Sequence, residues 1–372
     1  MLALLTCLDR HERLRGLSKA LFVRGIQVDA LSEVLRVVRL GSAVFFNARF
    51  TAPWCFASPE VSTVMQTLSP GAERLIVYHL VTEGRCTVFM DGSAPIELSA
   101  GDIIVFPHGQ AHRMASSPSV VPGPPADLQA LLRRRPRMLR YGGGGESTHF
   151  ICGYLECDPR LCRPILNALP RVLKVGLRNG AGMDWLESSI RYAVTEAASP
   201  RPGGEGVLSK LSEVVVVETL RRYMAQLPPE QTGWLAGLRD RIVGRALSLL
   251  HENPAHPWTV ESLARQSGAS RSVMAERFAH YVGQTPINYL TRWRMALAAN
   301  LLRTSSLSLT RIAQEVGYET DAAFSRAFRR ELGLPPAAWR KQQLGQRSLT
   351  RANTSAVAQV AERTHQEAAL GR

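Results

Sequence analysis

The chain is poor in cysteine and lysine and has no long apolar run. Six cysteines in 372 residues are too scattered for a disulfide framework, which excludes the class of small disulfide-stapled secreted domains. The apolar opening over residues 2–8 is too short to span a membrane and lacks the basic start of a signal peptide. These absences predict a soluble, cytoplasmic protein with no membrane partner.

Positive charge is abundant, but it comes almost entirely from arginine. Only four of the 45 basic residues are lysine, and the formal net charge is +14. Segment 238–342 contains 15 Arg and Lys against 8 Asp and Glu, a net charge of +7. Such an excess suits a polyanionic partner such as nucleic acid. Because a GC-rich genome also enriches arginine, the charge does not by itself decide the function.

The first half of the chain has the pattern of a β-rich domain. A short helix is predicted near 29–35, followed by short apolar runs that glycines separate, which is typical of a β-sandwich or barrel. The predicted strands are 44–46, 74–81, 87–90, 96–98 and 103–106. The proline-rich and arginine-rich stretch 116–148 is predicted to be a loop.

The stretch from Gly101 to His112 is more specific than the rest of this half. It reads Gly, five residues, Pro107, one residue, Gly109, two residues, His. This spacing resembles the second signature of the cupin barrel, and Val81–Gly84 is similar to the turn that ends the first signature. The resemblance is to the cupin domains that precede the DNA-binding domains of some bacterial regulators. It implies an N-terminal β-barrel that senses a small molecule.

Cupin enzymes bind a metal through two His and a Glu of the first signature and the His of the second. Here the set is incomplete, because the Glu position falls on Val77. A shifted alignment offers His79, Glu83 and His112 but places Glu83 beside a turn. We therefore predict no metal, no cofactor and no catalytic residue. The resemblance favours an effector pocket lined by His79, His108 and His112, with structural or surface histidines as the alternative.

Two helices are predicted between 182 and 227, with a break at 200–204. Trp185, Leu186 and Ile190 are predicted to share one face of the first helix. The run 214–217 in the second helix is four valines, so it must be covered on more than one side, by the cupin domain or by a second copy of the chain. The stretch 230–237 is predicted to be a hinge.

The second half of the chain contains one motif twice. Leu263-Ala264, Gly268, Phe278, Gly283 and Pro286 recur in type and order as Ile312-Ala313, Gly317, Phe328, Gly333 and Pro336. Each copy predicts a helix-turn-helix unit, in which glycine forms the turn and the second helix fits a DNA major groove. A helical bundle with a coincidental repeat is the alternative.

The segment Ile312–Arg340, which ends in Trp339-Arg340, resembles the AraC/XylS family of transcription regulators. The resemblance covers about 240–342 and implies two recognition helices in successive major grooves, roughly 34–36 Å apart. It makes double-stranded DNA the expected partner, with an unknown small-molecule effector, RNA polymerase and a second copy of the chain as further candidates.

These observations together predict a multidomain α+β protein, with an N-terminal cupin β-barrel and a C-terminal all-α domain. The expected division is a poorly ordered leader (1–25), a cupin-like sensing domain (26–180), a helical linker that also serves as a candidate dimerisation segment (181–237), an AraC-type DNA-binding domain (238–342, with helix-turn-helix units at about 259–281 and 308–332) and a disordered tail (343–372).

The outward positions of the two recognition helices are the expected base readers: Arg271, Ser272, Ala275 and Glu276 in the first, and Asp321, Ala322, Ser325 and Arg326 in the second. Three further arginines are expected to meet phosphates: Arg292, Arg294 and Arg329. For each arginine, a solvated surface charge is the alternative.

We therefore expect a transcription regulator that responds to a small molecule and is not an enzyme. One alternative is a cupin-fold metal-dependent enzyme that carries a DNA-binding domain. Another is an alkylation-repair protein with a reactive cysteine, but no zinc-type cysteine quartet precedes the helix-turn-helix units. Cys152, Cys157 and Cys162 recur at five-residue intervals, which is not the paired spacing of zinc sites, and buried or idle thiols are the expectation.

Overall fold

The computed structural model describes residues 29–37, 41–120, 138–178, 184–199 and 201–345. The expected leader 1–25, residues 121–137 of the expected loop and the tail from 346 onward lie outside these residues. The N-terminal half contains ten strands: β1 (Gly41–Thr51), β2 (Cys55–Ser58), β3 (Leu75–Glu83), β4 (Arg85–Phe89), β5 (Ile96–Ser99), β6 (Asp102–Phe106), β7 (His112–Ala115), β8 (Leu139–Gly142), β9 (Ser147–Glu156) and β10 (Leu173–Gly176).

Helices cover this half and form all of the second. They are α1 (Ala30–Val37), α2 (Val61–Leu68), α3 (Pro159–Leu166), α4 (Asp184–Ala198), α5 (Gly204–Gln226), α6 (Trp234–Arg239), α7 (Arg241–Glu252), α8 (Val260–Gln266), α9 (Arg271–Val282), α10 (Pro286–Thr304), α11 (Leu309–Glu315), α12 (Asp321–Leu332) and α13 (336–345).

The strands form two sheets, as the sequence predicted for a sandwich or barrel. One has six strands in the order β10-β6-β3-β9-β1-β8, and the other has four in the order β2-β7-β4-β5. Within the described residues the two sheets are separate in their backbone hydrogen bonding. Closure into a barrel therefore stays a prediction, while a mostly β N-terminal half and a helical C-terminal half are confirmed.

Strand β3 is buried on both faces, and its alternate residues enter different cores. Ile76, Tyr78 and Leu80 face the helices α1, α3 and α5, while Val81 faces the four-stranded sheet. Successive side chains of a strand point to opposite faces of its sheet, so one strand can serve both cores. The Tyr78 hydroxyl donates to Ser212 Oγ on α5 at 2.8 Å, which fastens that helix to the sheet.

Two sequence expectations about this half were wrong. The expected loop 116–148 contains β8 and the start of β9, whose short alternation the proline and glycine content had obscured. Trp185 does not share the buried face of Leu186, since it is 51% exposed while Leu186 is fully buried. In the valine run, Val215 and Val216 are buried and Val217 is half-buried, while Val214 is 40% exposed, so cover of the run by a second copy of the chain stays a prediction.

The two helix-turn-helix units form as predicted, with matched ends. Thr259 and Ser308 cap the first helices α8 and α11, and Ser270 and Thr320 cap the second helices α9 and α12. Each cap accepts a backbone N–H that the helix itself leaves unpaired. The turn glycine Gly317 has a φ of +80°, and a Cβ there would lie 2.5 Å from the Ala255 carbonyl oxygen, so only glycine fits.

The two halves of the chain pack against each other through one continuous core. Helix α1 packs on α7, and α3 contacts both α6 and α10. The expected hinge 230–237 contains α6 instead, and its Trp234 is only 4% exposed within this core. No helix of the described residues is long and apolar enough to cross a membrane.

We predict that Phe328→Ala destabilises the second unit by about 3–5 kcal/mol, because it empties a fully buried site beside Phe324 and Trp339. Urea unfolding followed by circular dichroism measures the loss. Leu334→Ala, at a 40% exposed apolar position, is the control and should change the free energy of unfolding by less than about 0.5 kcal/mol. Equal losses in the two variants would contradict the packing described here.

Candidate nucleic-acid interface and ligand cavity

The predicted base-reading residues lie on the open face of their helices. In α9 all four are exposed, and in α12 three are exposed while Ser325 is half-buried. The opposite faces carry Met274 and Phe278 in α9 and Phe324 and Phe328 in α12, which are fully buried. Helical periodicity therefore separates a core face from a free face in both units.

Two of these residues are tied to the first helix of their own unit. Arg271 Nε lies 2.8 Å from Glu261 Oε1 on α8, and the Thr310 hydroxyl on α11 donates to Asp321 Oδ2 at 2.7 Å. Both contacts fix the start of a recognition helix against its partner helix. Within the described residues, Glu276 and Arg326 have no such partner, so their polar groups are available to DNA.

Arg294 does not have the role that the sequence predicted for it. Its guanidinium donates to the carbonyl oxygens of Pro254 at 2.6 Å, His256 at 2.8 Å and Gly317 at 3.3 Å. Burial lowers its pKa, and a half-buried charge with all three nitrogens donating to backbone carbonyls has little left for a phosphate. We assign Arg294 to holding the segment before the first unit against the turn of the second.

The other two expected phosphate contacts differ from each other. Arg292 lies at the edge of a cavity between the halves, and its Nε is 3.7 Å from Oε2 of Glu331 on α12. Its side chain is 54% exposed, so its expected phosphate contact stays a prediction. Arg329 is exposed on α12 and has no side-chain partner in the described part of the chain, so it keeps its expected role as a prediction.

The N-terminal half contains an enclosed, mostly apolar cavity between its two sheets, with a volume of about 40 Å³. Two predicted effector residues, His79 and His112, line it. Its apolar wall comes from α2 and from four strands: Phe50, Val64, Val77, Met114 and Phe150. His112 also stacks on Phe106, with ring centres 3.7 Å apart and planes within 8°.

A chain of hydrogen bonds crosses the space between the two sheets. His112 Nδ1 lies 2.9 Å from the Gln110 carbonyl oxygen, His79 Nε2 lies 2.9 Å from His112 Nε2, and His79 Nδ1 lies 2.9 Å from Cys152 Sγ. A carbonyl only accepts, so His112 Nδ1 carries the proton and its Nε2 accepts from His79. His79 Nδ1 then accepts, and the Cys152 thiol donates.

This chain requires both rings neutral and the thiol protonated, and burial favours those forms. Burial and then the charge of His112 lower the pKa of His79 well below its usual value. Burial lowers the pKa of His112 to about 4, against a weaker opposing effect of the Gln110 carbonyl. Burial raises the pKa of the Cys152 thiol. His79 and His112, which form the polar strip of the cavity, are therefore uncharged near neutral pH.

His108 does not line this cavity, so the cavity gives no support to its expected role in an effector pocket, which stays a prediction. Its Nδ1 instead lies 3.2 Å from a guanidinium nitrogen of Arg74. Glu83 is also remote from His79 and His112, since its carboxylate lies 3.4 Å from His149 Nδ1 at the end of β3. Among the described residues, no group of three or more His, Cys, Asp and Glu side chains is placed to hold a metal ion.

Cys152 is the cavity residue that the sequence argument missed. It pairs with His79 across β3 and β9, but 73 residues separate the two positions in the chain. The alternation of Thr148, Phe150 and Cys152 is a strand signal that would have placed all three on one face of β9.

The comparisons with known proteins match both halves. The cupin family model matches residues 29–225, and a helix-turn-helix domain model matches residues 263–342. A Streptomyces lividans protein named as an AraC-like transcription regulator is 34% identical over 274 residues, covering 73% of this chain and 88% of that protein. The transcriptional regulator AlkR of Acinetobacter baylyi is 28% identical, covering 85% of this chain and 100% of its own.

Among solved structures, the DNA-binding domain of the transcriptional factor AdpA in complex with a target DNA is similar to the C-terminal part of this chain. It is 29% identical, covers 29% of this chain and 98% of its own, and has a TM-score of 0.29.

We predict that acidification destabilises the N-terminal half. The unfolded state binds more protons than the folded state between about pH 6.5 and pH 4, because the folded pKa of His112 is depressed to about 4. The stabilisation from keeping His112 neutral is present above pH 6.5 and is lost as the pH falls toward 4, with an upper limit of about 3 kcal/mol. Urea unfolding at a series of pH values measures this slope.

His112→Gln removes one of the two cavity histidines whose pKa burial lowers, so it should reduce the slope between about pH 6.5 and pH 4 and leave the part due to His79. Met114→Leu alters the same cavity wall without removing a histidine, so it should keep the wild-type slope. An unchanged slope in His112→Gln would contradict the assignment of the pH dependence to this residue.

Proposed function

The chain belongs to the AraC family of DNA-binding transcription regulators and has a cupin domain ahead of its helix-turn-helix domain, and on that premise we propose that it reads a two-part DNA site and responds to a small molecule in the cupin cavity. The repeated construction of α9 and α12 carries the first part. Each has a capped start, a buried aromatic face and an exposed face with polar groups.

Glu276 and Arg326 are the sharpest base-reading candidates, because each is exposed and lacks an intramolecular partner in the described residues. An arginine can donate two hydrogen bonds to guanine, and a glutamate can accept from the cytosine amino group. Ala275 and Ala322 suit thymine methyl groups, and Ser272 and Ser325 suit either base type. Arg271 and Asp321 would have to exchange their contacts with Glu261 and Thr310 before they met a base.

The chemistry of the cupin cavity favours a neutral, largely apolar effector. Its polar strip, His79 and His112, carries no charge near neutral pH, so it offers an anion little attraction. Ligand pockets of this kind combine an apolar wall with a few polar groups that set orientation. At about 40 Å³ the cavity must widen to admit an effector, and such a change would move the strands that carry both histidines.

We further propose that the protein acts without catalysing a reaction, and that a second copy of the chain and RNA polymerase are partners. Its relatives are transcription regulators, which favours regulation over the alternative of a cupin-fold metal-dependent enzyme. The exposed apolar side chains on α4 and α5 support a homodimer: Trp185, Tyr192, Val207 and Val214.

Selection of bound sequences from a randomised DNA pool tests the two-groove proposal. Arg326→Ala should relax preference at one end of the site by roughly 1–3 kcal/mol, because it removes a possible guanine contact. Glu276→Ala should relax positions about one helical turn away. Arg330→Ala, an arginine of the same helix with its Nε 3.7 Å from Glu331, is the control and should leave base preference unchanged. If both test variants relax the same positions, the two-groove proposal is wrong.

A thermal-shift screen of neutral apolar compounds against the full chain tests the cupin cavity. Val64→Phe fills the cavity from α2, so compounds that raise the melting temperature of the wild type should lose their effect on this variant. Ser62→Ala, exposed on the same helix, should keep the wild-type response. Stabilisation that is equal in Val64→Phe and in the wild type would show that the compounds bind elsewhere.

A further inference from the structure

A second cavity, of about 180 Å³, lies where the two halves of the chain meet; we refer to it as the interdomain cavity. The N-terminal half contributes α3 and the residues that follow it. The C-terminal half contributes the start of α6, one side of α10 and the C-terminal ends of both recognition helices, at Val282 and Leu332. This cavity is larger than the one between the sheets, and residues of both halves line it.

Two polar atoms of its lining have no hydrogen-bond partner among the described residues. They are the indole Nε1 of Trp293, a residue only 3% exposed, and Oε1 of Gln284. Buried polar groups are ordinarily paired, because leaving one unpaired is unfavourable. An indole N–H can only donate. Both atoms are themselves buried, so a ligand reaches the indole N–H only if the lining shifts, and it must then present an acceptor.

The positive charge at this cavity is incompletely compensated. Arg163 has no ion-pair or hydrogen-bond partner for its side chain in the described part of the chain. Arg292 has only Glu331, with a separation of 3.7 Å. Arg160 already forms ion pairs with Glu73 and Asp158, so its charge is compensated within the protein and does not attract a ligand anion. Two exposed guanidiniums therefore lie beside the cavity, and Glu331, the carboxylate in its lining, also lies 3.7 Å from Arg330.

The remaining wall is apolar. Trp234 and Tyr289 line it, but the Trp234 indole N–H donates to the Tyr289 hydroxyl at 2.8 Å, and that hydroxyl lies 2.6 Å from His251 Nε2. Their polar atoms are satisfied by one another, so they offer carbon surface to the cavity. Met295 and Ala296 of α10 extend this surface.

We propose that the interdomain cavity binds a small organic anion, which has one carboxylate or phosphate group on a compact apolar body. The anionic group lies near Arg163 and Arg292, while the body rests on Trp234, Tyr289 and Ala296. Arginine suits this task because its planar donors match the geometry of carboxylate and phosphate oxygens. This ligand differs in charge from the neutral effector of the cupin cavity, and its site is independent of it.

Occupancy would couple the two halves. An anion between Arg163 on α3 and Arg292 on α10 bridges side chains from different halves, so it binds only the arrangement in which both are present. A ligand that prefers one arrangement shifts the population toward it by the difference in affinity. The site therefore gives the protein a second chemical input on the orientation of its recognition helices.

Isothermal titration of the full chain without DNA tests the proposal, with 3-phenylpropanoate and phenyl phosphate as anionic probes. The neutral amide 3-phenylpropanamide has the same body without the charge. At least one anion should bind, and its amide analogue should bind at least about tenfold more weakly. Which anion binds more tightly distinguishes a carboxylate ligand from a phosphate ligand.

The double variant Arg163→Ala/Arg292→Ala should weaken binding of the anion by tenfold or more. Ala296→Phe should abolish binding, because the larger side chain fills the cavity. Arg171→Ala, an exposed arginine that does not line the cavity, should bind like the wild type. Circular dichroism confirms the fold of each variant, and the arginine variant decides the matter if Ala296→Phe does not fold.

The proposal is overturned if neither anion binds at millimolar concentration, if the amide binds as well as the anions, or if the arginine variant binds like the wild type. The cupin variant Val64→Phe should retain anion binding. Failure of this site would leave DNA reading and the cupin-cavity response unaffected, because those are measured with other variants and other compounds.

Discussion

The strict alternation of side chains along β3 is the constraint on which the rest of the structure depends. Because this strand lies inside the six-stranded sheet, Tyr78 faces the helices and His79 faces the four-stranded sheet. A shift of one residue in its register would exchange the two faces. It would place a hydroxyl where the histidine now meets His112 and a histidine where the hydroxyl now meets Ser212, so both the cavity and the helical cover would lose their partners.

The helices α1 and α3, which cover the six-stranded sheet, also pack against helices of the C-terminal half. One apolar cluster contains Leu155 of the six-stranded sheet, Leu166 of α3 and Leu247 of α7. The hydrophobic core is therefore continuous from one half to the other. Polar contacts reinforce it. Arg303 of α10 lies 3.5 Å from the Asp158 carboxylate, and Arg160 lies over the Trp339 ring at 5.3 Å. Both contacts start at the N-terminal end of α3, which connects the two halves together with the packing of α1 on α7.

The two cavities differ in chemistry because they differ in how their polar groups are paired. In the cupin cavity the histidines and Cys152 satisfy one another, and burial keeps them neutral. Among the residues that line the interdomain cavity, the buried indole nitrogen of Trp293 is left unpaired, Arg163 has no partner in the described part of the chain, and Arg292 has only Glu331. A protein with both sites would respond to a neutral ligand and to an anionic ligand. One cavity of either kind would favour only one of these two ligand classes.

The sequence by itself determined the two helix-turn-helix units and the strands around Gly101 and Gly109. Their caps, glycine turns and apolar spacing act over a few residues, so local pattern is sufficient. Only the tertiary structure decided the partners. Arg294 donates to carbonyls up to 40 residues away, His108 meets Arg74, and His79 meets Cys152. Such contacts depend on how distant strands and helices are brought together, and no periodicity along the chain records that arrangement.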